Sequence, residues 1–402
     1  MITAVASSPA FTVLPGDRAA AISRARTSAR IGLVLLFLLT FINGATFRRG
    51  DEENYHFDWH IALRIALCAA CGLYGLAHLR NSAASLLKGA GLLVTALGCW
   101  VVLIVPFSME PTNAAGATFC LWCVILFTAA IKDTLETRQI IQSVAASLVA
   151  FLVGSWIAYL FWPSLGREEL TFVDGSIVER FGGLGSSQSV GLMSALAVAL
   201  LLVLGTQRLA RWKVLAFPLA LAALTIYLTD SRTSAIAAAA AVVVAAVRSM
   251  RFTVGRAIGV LLLPLVAAIG LGVISLGVVH LKEDDVLARF SRSGDSVEMY
   301  NVSGRSEIWS FFLDRYRESP LVGYGLGCSR FVPREAYLHA HNQVLNVFVE
   351  TGLFGGALVL LQFFVLGRRF FVARNPYFDL FFVIVLVGGL TERVILAPIP
   401  DS

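Results

Sequence analysis

Charge is scarce in this chain. Asp, Glu, Lys and Arg together make up 14% of its 402 residues, against 57% hydrophobic residues and a mean hydropathy of +0.77. Soluble domains carry about 25% charged residues, so this supply excludes a soluble enzyme and points to a chain whose core is covered by lipid. Histidine is also rare, with six in the chain. The close pair His339 and His341 would point about 200° apart on a helix, and no third ligand accompanies it, which argues against zinc. Of the six cysteines, CAAC (Cys68, Cys71) and CLWC (Cys120, Cys123) lie inside apolar runs with no histidine or charge beside them in sequence, which argues against metal or redox chemistry. Cys328 alone falls outside the expected spans on the outer side, so no disulfide between outer loops is expected. A dinucleotide fingerprint is missing too: GYGLG, Gly323 to Gly327, has the wrong spacing, follows no strand and reads as a glycine-rich turn.

What is abundant is apolar sequence of membrane-crossing length. We expect spans over 31–47, 58–78, 84–105, 113–131, 139–162, 187–205, 212–229, 233–248, 257–280, 341–366 and 377–398. The fold class is thus an all-α polytopic integral membrane protein with about 11 (10–12) transmembrane helices and a long outer loop containing amphipathic helices. The first run follows Arg18, Arg24, Arg26 and Arg30 without a small-residue cleavage site, so it reads as a retained helix. With the N-terminus cytoplasmic, every inner loop is basic, whereas PFSMEPTN has no cation and TDSRT only Arg232. The net charge of +6 therefore reads as topology, not nucleic-acid binding. The expected location is a bacterial inner membrane. Five regions follow: a cytoplasmic segment 1–30, N-terminal helices 31–162, central helices with a first long outer loop 163–280, a periplasmic catalytic loop 281–340 and C-terminal helices 341–402.

The outer segments 163–186 and 281–340 are too long to be plain connections. In the second, SGRSEIWSFFLDRYRESP places Ile308, Trp309, Phe312, Leu313 and Tyr316 on one helical stripe that Pro320 ends. Its start, Ser303-Gly304-Arg305, combines free backbone N–H groups with a guanidinium, a common way to hold phosphate, although a capped surface helix is the plainer reading. Arg180 and Arg232 also stand at helix boundaries on this outer side; taken singly, each reads as a snorkelling side chain. Within the spans, Arg64, Glu350, Glu392 and Arg393 should face the interior, each costing about 2.5–3.5 kcal/mol at a helix centre unless paired or hydrated. Glu350 or Glu392 could pair with an arginine of the site. Gly352 and Gly356 suggest a close helix-packing face. His341 opens the tenth span at headgroup depth, where interface anchoring and a general base are both open.

Three segments together carry a resemblance: SGRSEIW, ESPLVGYGLG and HAHNQVLNVFVETGLFGG, preceded by RFGGLGSSQSVG and DSRTSAIAA. Over roughly 175–395 the chain resembles the superfamily of O-antigen ligases and Wzy-type O-antigen polymerases, membrane enzymes of bacterial envelope glycans. The resemblance implies glycan transfer from an undecaprenyl-diphosphate-linked donor to an acceptor hydroxyl on the periplasmic face, with inversion and with neither metal nor other cofactor. The acceptor would be a glycan, a lipid A core or a second lipid-linked repeat, giving lipopolysaccharide or exopolysaccharide. By position, His341 matches the family's base, Arg232 and Arg305 its essential arginines, and Arg180 the arginine before the helix after the first long loop. His339, Asn342 and Glu350 are possible supporting residues. Two other classes stay open: a metal-dependent lipid-linked glycosyltransferase, suggested by Asp51 to Glu53 in the first outer loop, and a non-enzymatic lipid-glycan flippase or transporter.

Overall fold

The computed structural model describes residues 15–45, 59–171, 177–249, 305–331, 340, 342–373 and 375–391. Thirteen helices of four residues or more occur among them. The N-terminal group is α1 (Pro15–Gly44), α2 (Trp59–Ala77), α3 (Leu79–Leu86), α4 (Ala90–Ile104), α5 (Pro111–Thr134) and α6 (Thr137–Phe161). A single turn, α7 (Pro163–Gly166), leads into β1 (Arg167–Thr171) and β2 (Ile177–Phe181). Then come α8 (Ser187–Thr206), α9 (Trp212–Leu228), α10 (Arg232–Ser249), α11 (Arg305–Glu318), α12 (Gln343–Val372) and α13 (Pro376–Thr391).

Local signals explain many of the starts. Proline, which needs no N–H partner in a first turn, opens α1, α5 and α13. α6 begins with a reciprocal capping box between Glu136 and Gln139. Ser186 caps α8 and Asn342 caps α12, each side-chain oxygen accepting an N–H three residues on.

Six described helices are long and apolar enough to cross a membrane, or seven if the bent pair α2–α3 counts as one span. α9 and α13 are apolar but shorter. Together these make a polytopic, mainly helical membrane protein. The expected spans coincide with helices wherever the chain is described, with one correction. The expected crossing at 84–105 is two pieces, because the chain turns through Leu87 to Gly89, with Gly89 at φ +56°, and α3 lies bent by 95° from α2. The span at 257–280 lies outside the described residues. A second correction concerns the first long outer loop, which contains an antiparallel hairpin pairing Arg167 with Phe181 and Thr171 with Ile177. Its signal is Asp174-Gly175, a strong hairpin dipeptide, among the five residues that separate the strands.

α8 is the most enclosed of the described spans, with 72% of its membrane window buried. It packs on α6 and α9 on one side and on α10 and α13 on the other. α1, α2 and α5 share a separate core, in which Arg64 is 4% exposed and donates to the carbonyls of Ile42 and Ala45 at the end of α1. That charge faces inward, as expected. α4 supports α12 across a third core.

Candidate functional site

Two polar assemblies stand out from this apolar frame. The first is a corner where the hairpin meets the starts of α8 and α10. Arg180 on β2 is 4% exposed and donates to the Asp230 carboxylate at 3.2 Å. Its strand partner is Glu168, whose carboxylate accepts the Ser187 N–H at 2.5 Å in the first turn of α8. Burial lowers the Arg180 pKa; the charges of Asp230 and Glu168 oppose that shift, and the positive Arg232 adds to it. The ion pair with Asp230 thus brings Arg180 to the turn that also carries Arg232, 52 residues later in the chain, near enough for the two charges to act on each other. Asp230 adopts φ +49°, a conformation an acidic side chain tolerates in a tight turn. That turn is pressed against α8: a Cβ at Gly191 would come 2.6 Å from Ser234 Oγ and 3.0 Å from Thr229 Oγ1.

The second assembly is a break in α12. Gly352 has φ +66° and ψ −168°, so the helix stops and restarts there. The close-packing helix face expected from Gly352 and Gly356 is therefore corrected: a Cβ at Gly352 would stand 2.1 Å from the Leu321 carbonyl oxygen, so this glycine admits a loop rather than a helix. The glycine-rich turn enters the break. Tyr324 N–H donates to Val349 C=O at 2.9 Å, Gly325 N–H to Glu350 C=O at 2.8 Å, and Leu353 N–H to Pro320 C=O at 2.8 Å. From the opposite side Trp100 Nε1 donates to Thr351 C=O at 2.8 Å. Broken helices survive at membrane depth only when the freed backbone groups are met in this way.

Side chains reinforce the junction. Glu350 is 0% exposed, and its Oε1 accepts from Ser329 Oγ at 2.9 Å and Asn346 Nδ2 at 3.0 Å. The expected interior placement of Glu350 holds, and a hydroxyl and an amide meet that oxygen. Ahead of it on α12, Gln343 and Asn346 are also buried. Trp309 of α11 donates to Ala340 C=O at 2.9 Å, and Phe311, Phe312, Ala340 and Val349 form one apolar cluster. Sequence reading missed Ser329, Asn346, Gln343 and Asp230. Only the three polar residues recurring at 343, 346 and 350 within an apolar run gave a signal for this buried face.

The predicted site residues thus divide. Arg180 and Arg232 meet at the corner, and Glu350 and Asn342 belong to α12. Arg305 opens α11, as the stripe predicted. His339 and His341 lie outside the described residues, as do Asp51 to Glu53, Glu392 and Arg393. The chain neighbours of His341 are described: Ala340 is tied to α11 and Asn342 caps α12. The two CxxC pairs do converge, all four cysteines being buried between α2 and α5, with Arg64 close to Cys68. A charge is therefore nearer than the sequence suggested, although no group of three or more His, Cys, Asp or Glu among the described residues is arranged to hold a metal ion.

A family model described as O-antigen ligase matches residues 217–360. The match supports the O-antigen ligase and polymerase superfamily. No curated protein matches the chain. The matched segment runs from α9 to the break in α12 and contains Arg232, Arg305, His341 and Glu350. Arg180 lies outside it, and its ion pair with Asp230 is what joins the hairpin to the family segment. The matched family is one of glycan transfer of the ligase or polymerase type, which implies lipid-linked glycans as substrates and fits a multi-pass bacterial membrane protein.

Proposed function

We propose that this member of the O-antigen ligase superfamily transfers a glycan from an undecaprenyl-diphosphate-linked donor to an acceptor hydroxyl at the periplasmic face of the inner membrane, without metal and with inversion. The observation that supports the reading is the meeting of Arg180 and Arg232 at one corner beside the half-exposed Asp230, because two guanidiniums whose acidic neighbour can turn to solvent offer paired N–H donors to a diphosphate. In this reading the chain crosses the membrane eleven times with its N-terminus in the cytoplasm, and 281–340 is the catalytic loop.

His341 takes the proton of the acceptor hydroxyl as its oxygen forms a bond to the anomeric carbon. The bond from that carbon to the diphosphate oxygen breaks, and Arg232, Arg305 and Arg180 neutralise the charge that grows on the leaving group. Guanidinium suits this task, since it holds phosphate through several N–H groups and keeps its proton. The helix dipole at the start of α12 disfavours imidazolium and so favours the base form of His341. Because the donor diphosphate sits at the lipid surface, these groups belong at the mouth of the bundle.

Glycan assembly in a host lacking its own copy tests this, comparing wild type with His341→Ala, Arg305→Ala and Arg232→Ala at matched membrane levels. We expect each variant to lose at least about 10²-fold in product, the scale of a lost base or charge stabiliser. Activity should survive a metal chelator. Accumulated single lipid-linked repeats would identify a polymerase, and accumulated long chains a ligase. Retained activity in all three variants would overturn the site.

A further inference from the structure

We propose that Glu350 is a positioning residue for the transfer reaction, tying the end of the catalytic loop to the half of α12 that begins beside His341. The proposal rests on the functional reading above. Residues 319–329 follow α11, the helix opened by Arg305, and residues 343–351 follow His341. These two stretches meet at the break in α12. The backbone part of the seam consists of Tyr324 and Gly325 donating to Val349 and Glu350. Its side-chain part converges on one oxygen: Oε1 of Glu350 receives Ser329 from the loop at 2.9 Å and Asn346 from α12 at 3.0 Å.

Ser329 and Glu350 are each 0% exposed and Asn346 is 1% exposed. Leaving such buried hydrogen-bonding partners unmet inside the protein is costly. The carboxylate stands nine residues beyond His341 in the chain, about 13 Å along a helix, too far for direct proton transfer. It acts instead by fixing the register of Arg305's helix against His341's helix. A shift of about 1 Å between reacting groups is enough to cost on the order of 10²-fold in rate.

The test uses the full-length enzyme in detergent or nanodiscs with a lipid-linked donor. Glu350→Ala should lower kcat by at least about tenfold while donor KM stays within about twofold, the pattern of lost alignment rather than lost binding. Glu350→Gln keeps an oxygen able to accept from Ser329 and Asn346, so it should recover kcat to within about threefold of wild type. Ser329→Ala should cost less than Glu350→Ala, and the double variant should be no worse than Glu350→Ala alone. Multiplying losses in the double variant, or a Gln variant as impaired as the Ala variant, would overturn the clamp. If wild type itself transfers no glycan, the reaction assignment fails, and the seam is then decided by unfolding midpoints: non-additive shifts for Ser329 and Glu350 support it and additive shifts overturn it.

Discussion

α8 and α12 are both long apolar helices with a polar cap, yet one is a rod and the other is broken. α8 runs from Ser187 to Thr206 without interruption, buried on most of its faces, and its glycine at 191 serves the close approach of a neighbouring turn. α12 stops at Gly352, and loop backbone fills the gap. The same residue type therefore does two jobs. At Gly191 the backbone is ordinary helix and only the side-chain space is missing; at Gly352 both the space and the backbone conformation exclude any other residue. The contrast separates a scaffold, which holds the arginine corner, from a junction, which joins the loop to the helix after His341.

Gly352→Ala should break that contrast most severely. An alanine there meets the Leu321 carbonyl and a φ, ψ pair that is nearly confined to glycine, so the loop must leave the break or the helix must distort. We expect a loss of about 3 kcal/mol or more, read as a lower unfolding midpoint of the solubilised protein, with transfer abolished. Gly116→Ala is the control, since nothing lies within 4 Å of the position its Cβ would take and α5 is continuous there. That substitution should be neutral or stabilise by up to about 1 kcal/mol.

Gly191→Ala should have a smaller effect of a different kind. Its added methyl meets the hydroxyls of Ser234 and Thr229 rather than backbone, and it pushes on the turn that carries Asp230 and Arg232. Overpacking of this sort costs about 1–2 kcal/mol. We expect transfer to fall by more than the unfolding midpoint indicates, because the arginine corner shifts while the fold survives. Equal activity losses for Gly191→Ala and Gly116→Ala would remove the corner from the mechanism.

How much of this was legible follows from the same physics. Apolar runs of bilayer length mark helices because lipid offers backbone groups no partner, so each described span fell on a helix, although α1 begins at Pro15 and α12 runs on to Val372, beyond the expected limits. The amphipathic stripe of α11 was readable for a similar local reason. The break was not. GYGLG read as a turn, but its destination depends on residues 349 to 353, about 25 positions later, and no local pattern states that pairing. The hairpin was missed although Asp174-Gly175 lies between its strands, because those strands are five residues each, carry charges and lack the alternation that marks a half-buried strand. Arg180 and Arg232 were legible as cations at helix boundaries on one side of the membrane, whereas no local pattern points to Asp230, which only the fold brings against the hairpin.

Asp230 therefore supplies the mildest and most discriminating comparison. Asp230 holds Arg180, so a diphosphate that uses Arg180 must share or displace a carboxylate that is half exposed. Asp230→Asn keeps a side chain that tolerates the positive φ of this turn and removes only the charge. Stability should change by less than about 1 kcal/mol, because a pair with one solvent-facing partner contributes little and Glu168 remains beside Arg180. Donor KM should fall by about two- to fivefold, since an Arg180 released from competition binds the diphosphate more tightly, by the same energy that the exposed pair was worth. The gain should shrink as salt is raised, which screens both the pair and the donor. A higher donor KM in the Asn variant would assign Asp230 the opposite role, that of aiming Arg180 at the site, and the corner would then resemble the junction in α12, where a buried carboxylate holds another group in place.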